Sequence, residues 1–473
     1  MIKGTRAADA DPYTFTREAL RELARALSED AAWLGAQTEG TEPQARRRRE
    51  LLKRLTRLRG QFEMLWGELA RDSALKCAAR ARAAPNADLR QLYGLAIDCA
   101  EEVYGAVART DRYAKTQAEL INTVAALRIH GRRSRPAEGA NAAARGPDAP
   151  REAGCSLREP AWRRDNVVLY RYVPLPGVQS VRSKPILMSY ALVNRPYVLD
   201  LQPDRSLIRS LLAAGLTVYM IDWGYPQEPH RRLGLRDYVD GYLGASVRHI
   251  LKVHKSRSVN LLGVCQGGTL GLCYSARHPE RVANLVLLAT PVDFQTDDNL
   301  LSFWARDLDA RRLVRAGNVP GRSLTALFMA LSPFRLTQQK YLTLLEQRPD
   351  SEALELFGRM ERWIFDSPDL AATAFGQFLR WFYQENRLIR GTLEFAGRRV
   401  DLAHINQPVL NIYATRDHIV PPSASLALRQ YIGSRDYTTY AVDTGHIGLY
   451  VSSRACQSVP AQIAAWLRRR API

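Results

Sequence analysis

One nine-residue stretch constrains this chain more than any other: Leu261-Leu262-Gly263-Val264-Cys265-Gln266-Gly267-Gly268-Thr269. An apolar run (Val259, Leu261, Leu262) leads into Gly263, and Cys265 stands between that glycine and Gly267, ahead of a helical pattern. The order predicts a strand, a tight turn and a helix, with Cys265 at the apex where hydrolases usually carry serine. Such a turn strains its central residue, and the flanking glycines remove side chains that would crowd it. Cys265 would then project its sulfur above the sheet edge, facing the N-terminus of the next helix. That end of a helix favours negative charge, which suits both a thiolate and an oxyanion. The rival reading is a small buried cysteine in a glycine-containing turn. A base and an acid further along the chain decide between the two.

Both are present. The apolar run Val409–Ala414 ends in Thr415-Arg416-Asp417-His418, which puts Asp417 just past a strand tip. The next predicted strand, Thr438–Val442, leads into Asp443-Thr444-Gly445-His446-Ile447-Gly448, which sets His446 on a glycine-bounded loop. Of the eight histidines, only His446 and His418 fall at a strand edge in the last third of the sheet. The order nucleophile, Asp, His is that of α/β-hydrolases, and it makes Cys265, Asp417 and His446 a candidate catalytic triad. His446 takes the thiol proton, the thiolate attacks an acyl carbonyl, and Asp417 holds the imidazole tautomer. The expected oxyanion donors are the backbone N–H of Gln266 and a second N–H near Ala191 or Leu192, with Leu192 the choice. Sulfur itself carries information. Moving an acyl group from a thioester to a cysteine exchanges one thioester for another. A synthase that must keep its acyl group activated benefits from that, and a hydrolase does not.

The surrounding pattern predicts an α/β fold of the α/β-hydrolase kind, with a helical cap insertion and an all-helical region before it. Candidate strands are Val167–Tyr172, Pro185–Tyr190, Val218–Asp222, Val259–Val264, Leu285–Ala289, Val409–Ala414 and Thr438–Val442. Helical stretches such as Arg205–Ala214 and Leu235–Lys255 separate several of them, which implies a mostly parallel sheet covered on both faces. The alternation breaks over about 297–406, a helical, aromatic-rich stretch that fits a cap. Most of its aromatics should pack the cap's own core, and a few should line an acyl channel. Residues 12–130 read as helix, with Leu51, Leu55, Leu58, Phe62, Leu65 and Leu69 spaced four and three apart. That stripe is too short for a zipper and favours a helical hairpin or a partner-binding helix. A second helical stretch, Asp88 to Ile129, carries Leu92, Ala96, Cys99, Val103 and Ala106 along one face. The small, proline-punctuated composition of 132–160 reads as a flexible linker. The expected division is therefore a helical region 1–131, a linker 132–160 and a synthase domain 161–473.

Composition narrows the classes. At 473 residues with 46% hydrophobic content, the chain can hold two or more cores. The six cysteines, at 77, 99, 155, 265, 273 and 456, lack paired short spacings and His partners. That argues against a disulfide framework and against a metal site, and fits a cytoplasmic setting. No run approaches the ~20 apolar residues that would span a bilayer, so no transmembrane segment is expected. The net charge of +19 suits an acidic partner or surface, yet no zinc-finger spacing, RNA-recognition signature or basic aromatic groove accompanies it. Nucleic acid is therefore not expected as a partner.

Six segments together resemble polyhydroxyalkanoate synthases, in particular the short catalytic subunit of the class III enzymes. They are 190–202, 221–226 (Ile-Asp-Trp-Gly-Tyr-Pro), 263–269, 290–294 (Thr-Pro-Val-Asp-Phe), 411–422 and 444–448 (Thr-Gly-His-Ile-Gly). The resemblance covers about 160–470. It implies polymerisation of short-chain (R)-3-hydroxyacyl-CoA, with Cys265 as the polymerising nucleophile and His446 as its base. Asp417 would either activate the substrate's 3-hydroxyl or orient His446. No bound cofactor is implied, since CoA is the leaving group of the substrate. The implied partners are the acyl-CoA and the surface of a cytoplasmic polymer granule, with homo-oligomeric assembly. One departure stands out. Catalytic subunits of this class start near residue 160 of this numbering and use a separate companion, whereas Ile97–Tyr104 and Gln117–Leu127 here resemble the companion's C-terminal helices. The resemblance thus implies a fusion that needs no separate companion. A thioesterase or depolymerase using the same triad is the first alternative, and a granule scaffold with a vestigial triad is the second.

Overall fold

A strand buried on both faces needs consecutive apolar side chains, and the runs that meet this condition all form strands. The computed structural model describes residues 42–132, 154–336, 340 and 351–470. Eight strands make one sheet: β1 Arg158–Arg164, β2 Val167–Tyr172, β3 Ile186–Ser189, β4 Val218–Asp222, β5 Val259–Val264, β6 Val282–Leu288, β7 Val409–Ala414 and β8 Tyr437–Val442. Their spatial order is β1-β2-β4-β3-β5-β6-β7-β8. The first three pair antiparallel and the rest parallel. Every residue of β4 and β5 is buried, as expected of strands covered on both faces.

β1 corrects the linker reading, because a strand begins at Arg158, inside the stretch assigned to it. Its sequence (Arg-Glu-Pro-Ala-Trp-Arg-Arg) hides the strand for a physical reason. It is an edge strand with charged residues and a register shift between Pro160 and Trp162, so it lacks an apolar run. The rest of the linker reading, over 133–153, and the helical reading before residue 42 lie outside the described residues.

By packing, the described residues form two units that do not follow chain order. The first combines 42–132 with 307–312 and the described part of 325–354. Its helices are α1 Glu42–Arg82, α2 Leu89–Ala108 and α3 Asp111–Arg132. Leu51, Leu58, Leu65 and Leu69 of the expected stripe are buried, and Leu55 and Phe62 are half-buried. α1 has 41 residues, about 60 Å at 1.5 Å per residue. Near its start it meets α3, with Leu51 packed on Ala126 and Leu127, and near its end Arg80 pairs with Glu102 of α2 at 2.8 Å. The unit is thus the expected hairpin, with its second arm broken at Arg109 and Thr110. The face read for that arm holds in part: Cys99 is buried and Leu92, Ala96 and Val103 are half-buried, whereas Ala106 is exposed and Ile97, Ala100, Tyr104 and Ala108 complete the buried face of α2. α2 turns Tyr104 and Ile97 inward because they offer more area than Ala106.

The second unit holds the sheet with 313–324 and 355–470. The cap stretch is helical, as expected: Leu300–Ala305, Ala310–Arg315, Gly321–Met329, Ser351–Phe365 and Ala372–Phe378, which runs on as a wider π-turn over Leu379–Gln384. Packing nonetheless divides it between the two units. Among the described residues, no helix is long and apolar enough to cross a membrane.

Candidate active site

β5 ends at Val264, and the helix Gln266–Arg277 starts one residue after Cys265. Cys265 takes φ 51°, ψ −127°, a strained conformation for a residue with a side chain. Its N–H donates to Leu288 O of β6 at 2.8 Å, which ties the apex to the neighbouring strand. The turn closes this tightly only with glycines. A Cβ on Gly267 would collide with the carbonyls of Ser189 and Tyr190, and one on Gly268 with Thr290. Thr269 Oγ1 donates to Pro291 O at 2.8 Å, so the 290–294 segment forms the rear wall of this helix.

The acid and base sit at neighbouring strand tips. Asp417 follows β7 and His446 follows β8, and His446 Nδ1 lies 2.7 Å from Asp417 Oδ2. The other carboxylate oxygen, Oδ1, accepts the N–H groups of Ile419 and Val420, both at 2.9 Å. Both side chains are buried. His446 Nδ1 faces the carboxylate, and the Cys265 sulfur lies near enough to act on the charge of the ring. Burial alone would lower the imidazole's pKa. The Asp417 carboxylate and the Cys265 sulfur outweigh it and hold His446 up at about 10. His418, the other candidate histidine, is exposed.

The structure therefore brings Cys265, His446 and Asp417 together, with the His446–Asp417 hydrogen bond formed at 2.7 Å. Oδ2 of Asp417 faces His446 and two backbone N–H groups hold Oδ1, an arrangement suited to orienting the imidazole. The expected oxyanion donors fare differently. Gln266 opens its helix, so its N–H has no acceptor within the helix and can serve an oxyanion. The Leu192 N–H donates instead to the side-chain Oε1 of Gln266 at 2.9 Å. The Gln266 side chain thus covers the N–H expected as the second donor.

Three tyrosines that sequence reasoning missed surround the sulfur. Tyr190, Tyr383 and Tyr450 are each pushed up, first by burial and then by the nearby Cys265 sulfur, which keeps all three protonated. The Tyr450 ring stands edge-on to His446, with centroids 5.8 Å apart. Tyr383 lies on the π-turn and joins Phe294, Phe378 and Phe382 in one aromatic cluster. Of the cap aromatics expected to pack as core, Trp304, Phe334, Trp363, Phe378 and Phe382 are buried, most of the others are half-buried, and Phe365 is exposed.

Two other segments turn out to be scaffold. Arg195 pairs with Asp222 at 2.7 Å, with both side chains buried, and Trp223 Nε1 donates to Tyr190 O at 2.8 Å. These bonds lock the loop after β3 to the end of β4 and so fix the path of the oxyanion loop. A buried pair satisfied in this way costs a great deal to break from one side.

Residues 185–453 match the family described as "alpha/beta hydrolase fold", and residues 75–135 match that described as "Poly(R)-hydroxyalkanoic acid synthase subunit". The poly(3-hydroxyalkanoate) polymerase subunit PhaC of Allochromatium vinosum is 48% identical over 320 residues, 67% of this chain and 90% of that protein. The subunit of the same name from Thiocystis violacea is 46% identical over 320 residues, again 67% and 90% of the two chains. That of Synechocystis sp. is 44% identical over 327 residues, covering 67% of this chain and 86% of its own. Likeness of this depth extends over nearly the whole of each relative, and this chain belongs to the poly(3-hydroxyalkanoate) polymerase family.

Proposed function

We propose that the chain polymerises short-chain (R)-3-hydroxyacyl-CoA, with 3-hydroxybutyryl-CoA as the representative substrate, and releases CoA. The observation that carries this is a sulfur nucleophile, rather than an oxygen one, beside a histidine that a buried carboxylate holds. His446 takes the Cys265 proton, and the thiolate attacks the thioester carbonyl. The bond from carbonyl carbon to CoA sulfur breaks, and CoA leaves with the proton from His446. The 3-hydroxyl of the next monomer then gives its proton to His446 and attacks the Cys265 thioester. An ester forms and the thiolate returns. Asp417 serves both steps by orienting His446. No bound cofactor takes part.

The helical region supplies in cis what a companion subunit supplies elsewhere. Its support is the match of 75–135 to a synthase-subunit family. The chain then works at the surface of cytoplasmic polymer granules without a separate companion. The test is to give the purified full-length chain 3-hydroxybutyryl-CoA and follow free thiol and turbidity together. Thiol release with rising turbidity is expected. Thiol release in clear solution would instead make the chain a thioesterase.

A further inference from the structure

Within the first unit, two pieces of the cap stretch are held by all three helices. The ring of Phe334, 2% exposed, lies 6.3 Å from both Trp66 of α1 and Tyr104 of α2. Trp66 stacks on Tyr104 at 5.6 Å, and Tyr113 of α3 closes the pocket edge-on to Tyr104 at 6.0 Å. The Tyr104 hydroxyl donates to Ala330 O. Glu101 Oε1 accepts both Ser332 Oγ, at 3.0 Å, and the Arg335 N–H, at 2.6 Å, and so caps the turn that carries Phe334. A second grip lies on α3. Asn122 Nδ2 donates to Asp307 O at 3.1 Å, while its Oδ1 accepts the Asp309 N–H at 2.8 Å. One amide thus satisfies a donor and an acceptor of the same backbone turn.

The pieces held this way continue along the chain into the synthase unit. The helix Gly321–Met329 begins where the Gly321 N–H donates to Asp369 Oδ1 at 3.0 Å and Val319 bridges Leu370. Leu370 in turn precedes the helix Ala372–Phe378 and its π-turn, which carries Tyr383. Packing thus assigns the stretch to the helices, while the covalent chain and its other bonds assign it to the site. A segment with such double membership can carry free energy between two regions.

Resting on the polymerase reading above, we propose that the helical region governs the active site by gripping the cap at two points, Phe334 and the 307–309 turn. The surface formed by Ala330, Ser332, Phe334 and Arg335 is what the companion-like helices recognise, and Trp66, Tyr104, Glu101 and Asn122 are the recognising residues. They act as positioning residues, since none of them touches the sulfur.

The test uses the full-length chain and two readouts. Phe334→Ala and Asn122→Ala should each lower the polymerisation rate about tenfold or more, a typical span for coupling between sites. Alkylation of Cys265 by a small thiol reagent should stay within about twofold, because access to a small molecule does not need the cap held. Glu101→Gln, whose amide oxygen can accept both bonds, should keep activity, whereas Glu101→Ala should lose it. Hydrogen exchange over 325–336 reads the grip without turnover and should quicken in Phe334→Ala. Full polymerisation in a variant whose exchange has quickened would overturn the proposal. A parent chain that makes no polymer, yet shows the same change in exchange on mutation, would sink the polymerase reading and leave the grip standing.

Discussion

Cys265 and Phe334 are held by opposite means. Cys265 sits in a strained turn, where glycines admit neighbouring carbonyls and a backbone hydrogen bond ties the apex to β6. Phe334 sits among rings, where area and shape do the holding. The first arrangement has almost no tolerance, because reactivity depends on tenths of an ångström at a few atoms. The second tolerates substitution of similar volume, because apolar contact is non-directional. The difference teaches where chemistry and control reside in this chain. Substitution of Cys265 should remove activity and spare stability, while substitutions in the helical unit should act on activity only through packing.

The largest expected effect tests the first half of that comparison. Cys265→Ala should abolish polymer formation, a loss of about 10⁵-fold or more, without moving the unfolding temperature by more than a degree or so. Cys265→Ser should retain at most traces, since an alkoxide forms far less readily than a thiolate. Mass spectrometry after brief exposure to substrate should find the acyl group on the peptide containing Cys265. Cys273 offers the control. It is fully buried and burial pushes its thiol well up, so an adduct there would defeat the assignment.

Asp417→Asn comes next. The asparagine can keep the two backbone N–H bonds at Oδ1, so the loop should survive while the charge facing His446 is lost. Acylation of Cys265 in a single turnover should slow by about a thousand- to ten-thousandfold, in line with loss of the orienting acid in a triad. Rapid acylation followed by failure to elongate would instead show that Asp417 acts on the substrate hydroxyl. The same variant carries a pH signature. The folded-state pKa of His446 lies above its ordinary 6.5, so its charged form stabilises the fold fully below pH 6.5, and that contribution fades as pH rises through about 10. Asp417→Asn removes the carboxylate that supports the charge. The gap in unfolding temperature between parent and variant should therefore be widest near pH 6.5 and close towards pH 10.

How much of this structure is legible in the sequence depends on the kind of contact. Cys265, Asp417 and His446 could be read because each stands where an apolar strand meets glycine or proline, a signal that is local in the chain. The ends of β2, β4, β5 and β7 follow for the same reason. Tyr190, Tyr383 and Tyr450 could not be read. A tyrosine in an apolar run looks like core, and the π-turn that carries Tyr383 leaves no mark in composition. β1 escaped because an edge strand protects itself with charge and proline. Nothing local connects Phe334 to Trp66 and Tyr104, which lie more than 200 positions away in the chain. The division of the cap between two units was hidden for that reason.

Gln266→Ala should have a smaller effect, and the sign matters more than the size. If Leu192 N–H is the second oxyanion donor, the Gln266 amide competes with the substrate for it, and removing the amide should raise the acylation rate about two- to fivefold, roughly the worth of one hydrogen bond. A fall of about tenfold or more would mean that Gln266 props the loop and that the oxyanion finds its second donor elsewhere.

The smallest expected effect probes what the helical grip is made of. Arg335 Nη2 and Asp98 Oδ1 lie 3.1 Å apart beside Phe334, with side chains 57% and 55% exposed. Water screens such a pair, and ordering two long side chains offsets most of its attraction, which leaves about 0–1 kcal/mol. The ring pocket beside it removes a whole phenyl group from water, and burying a side chain of that size is worth about 1.5–3 kcal/mol. If area holds the cap, Asp98→Ala should leave the polymerisation rate within about twofold at any salt concentration. A rate that instead fell sharply in Asp98→Ala, and fell in the parent as salt was raised, would show that charge rather than ring packing fastens the cap. The contrast between a polar active site and an apolar control surface would then have to be abandoned.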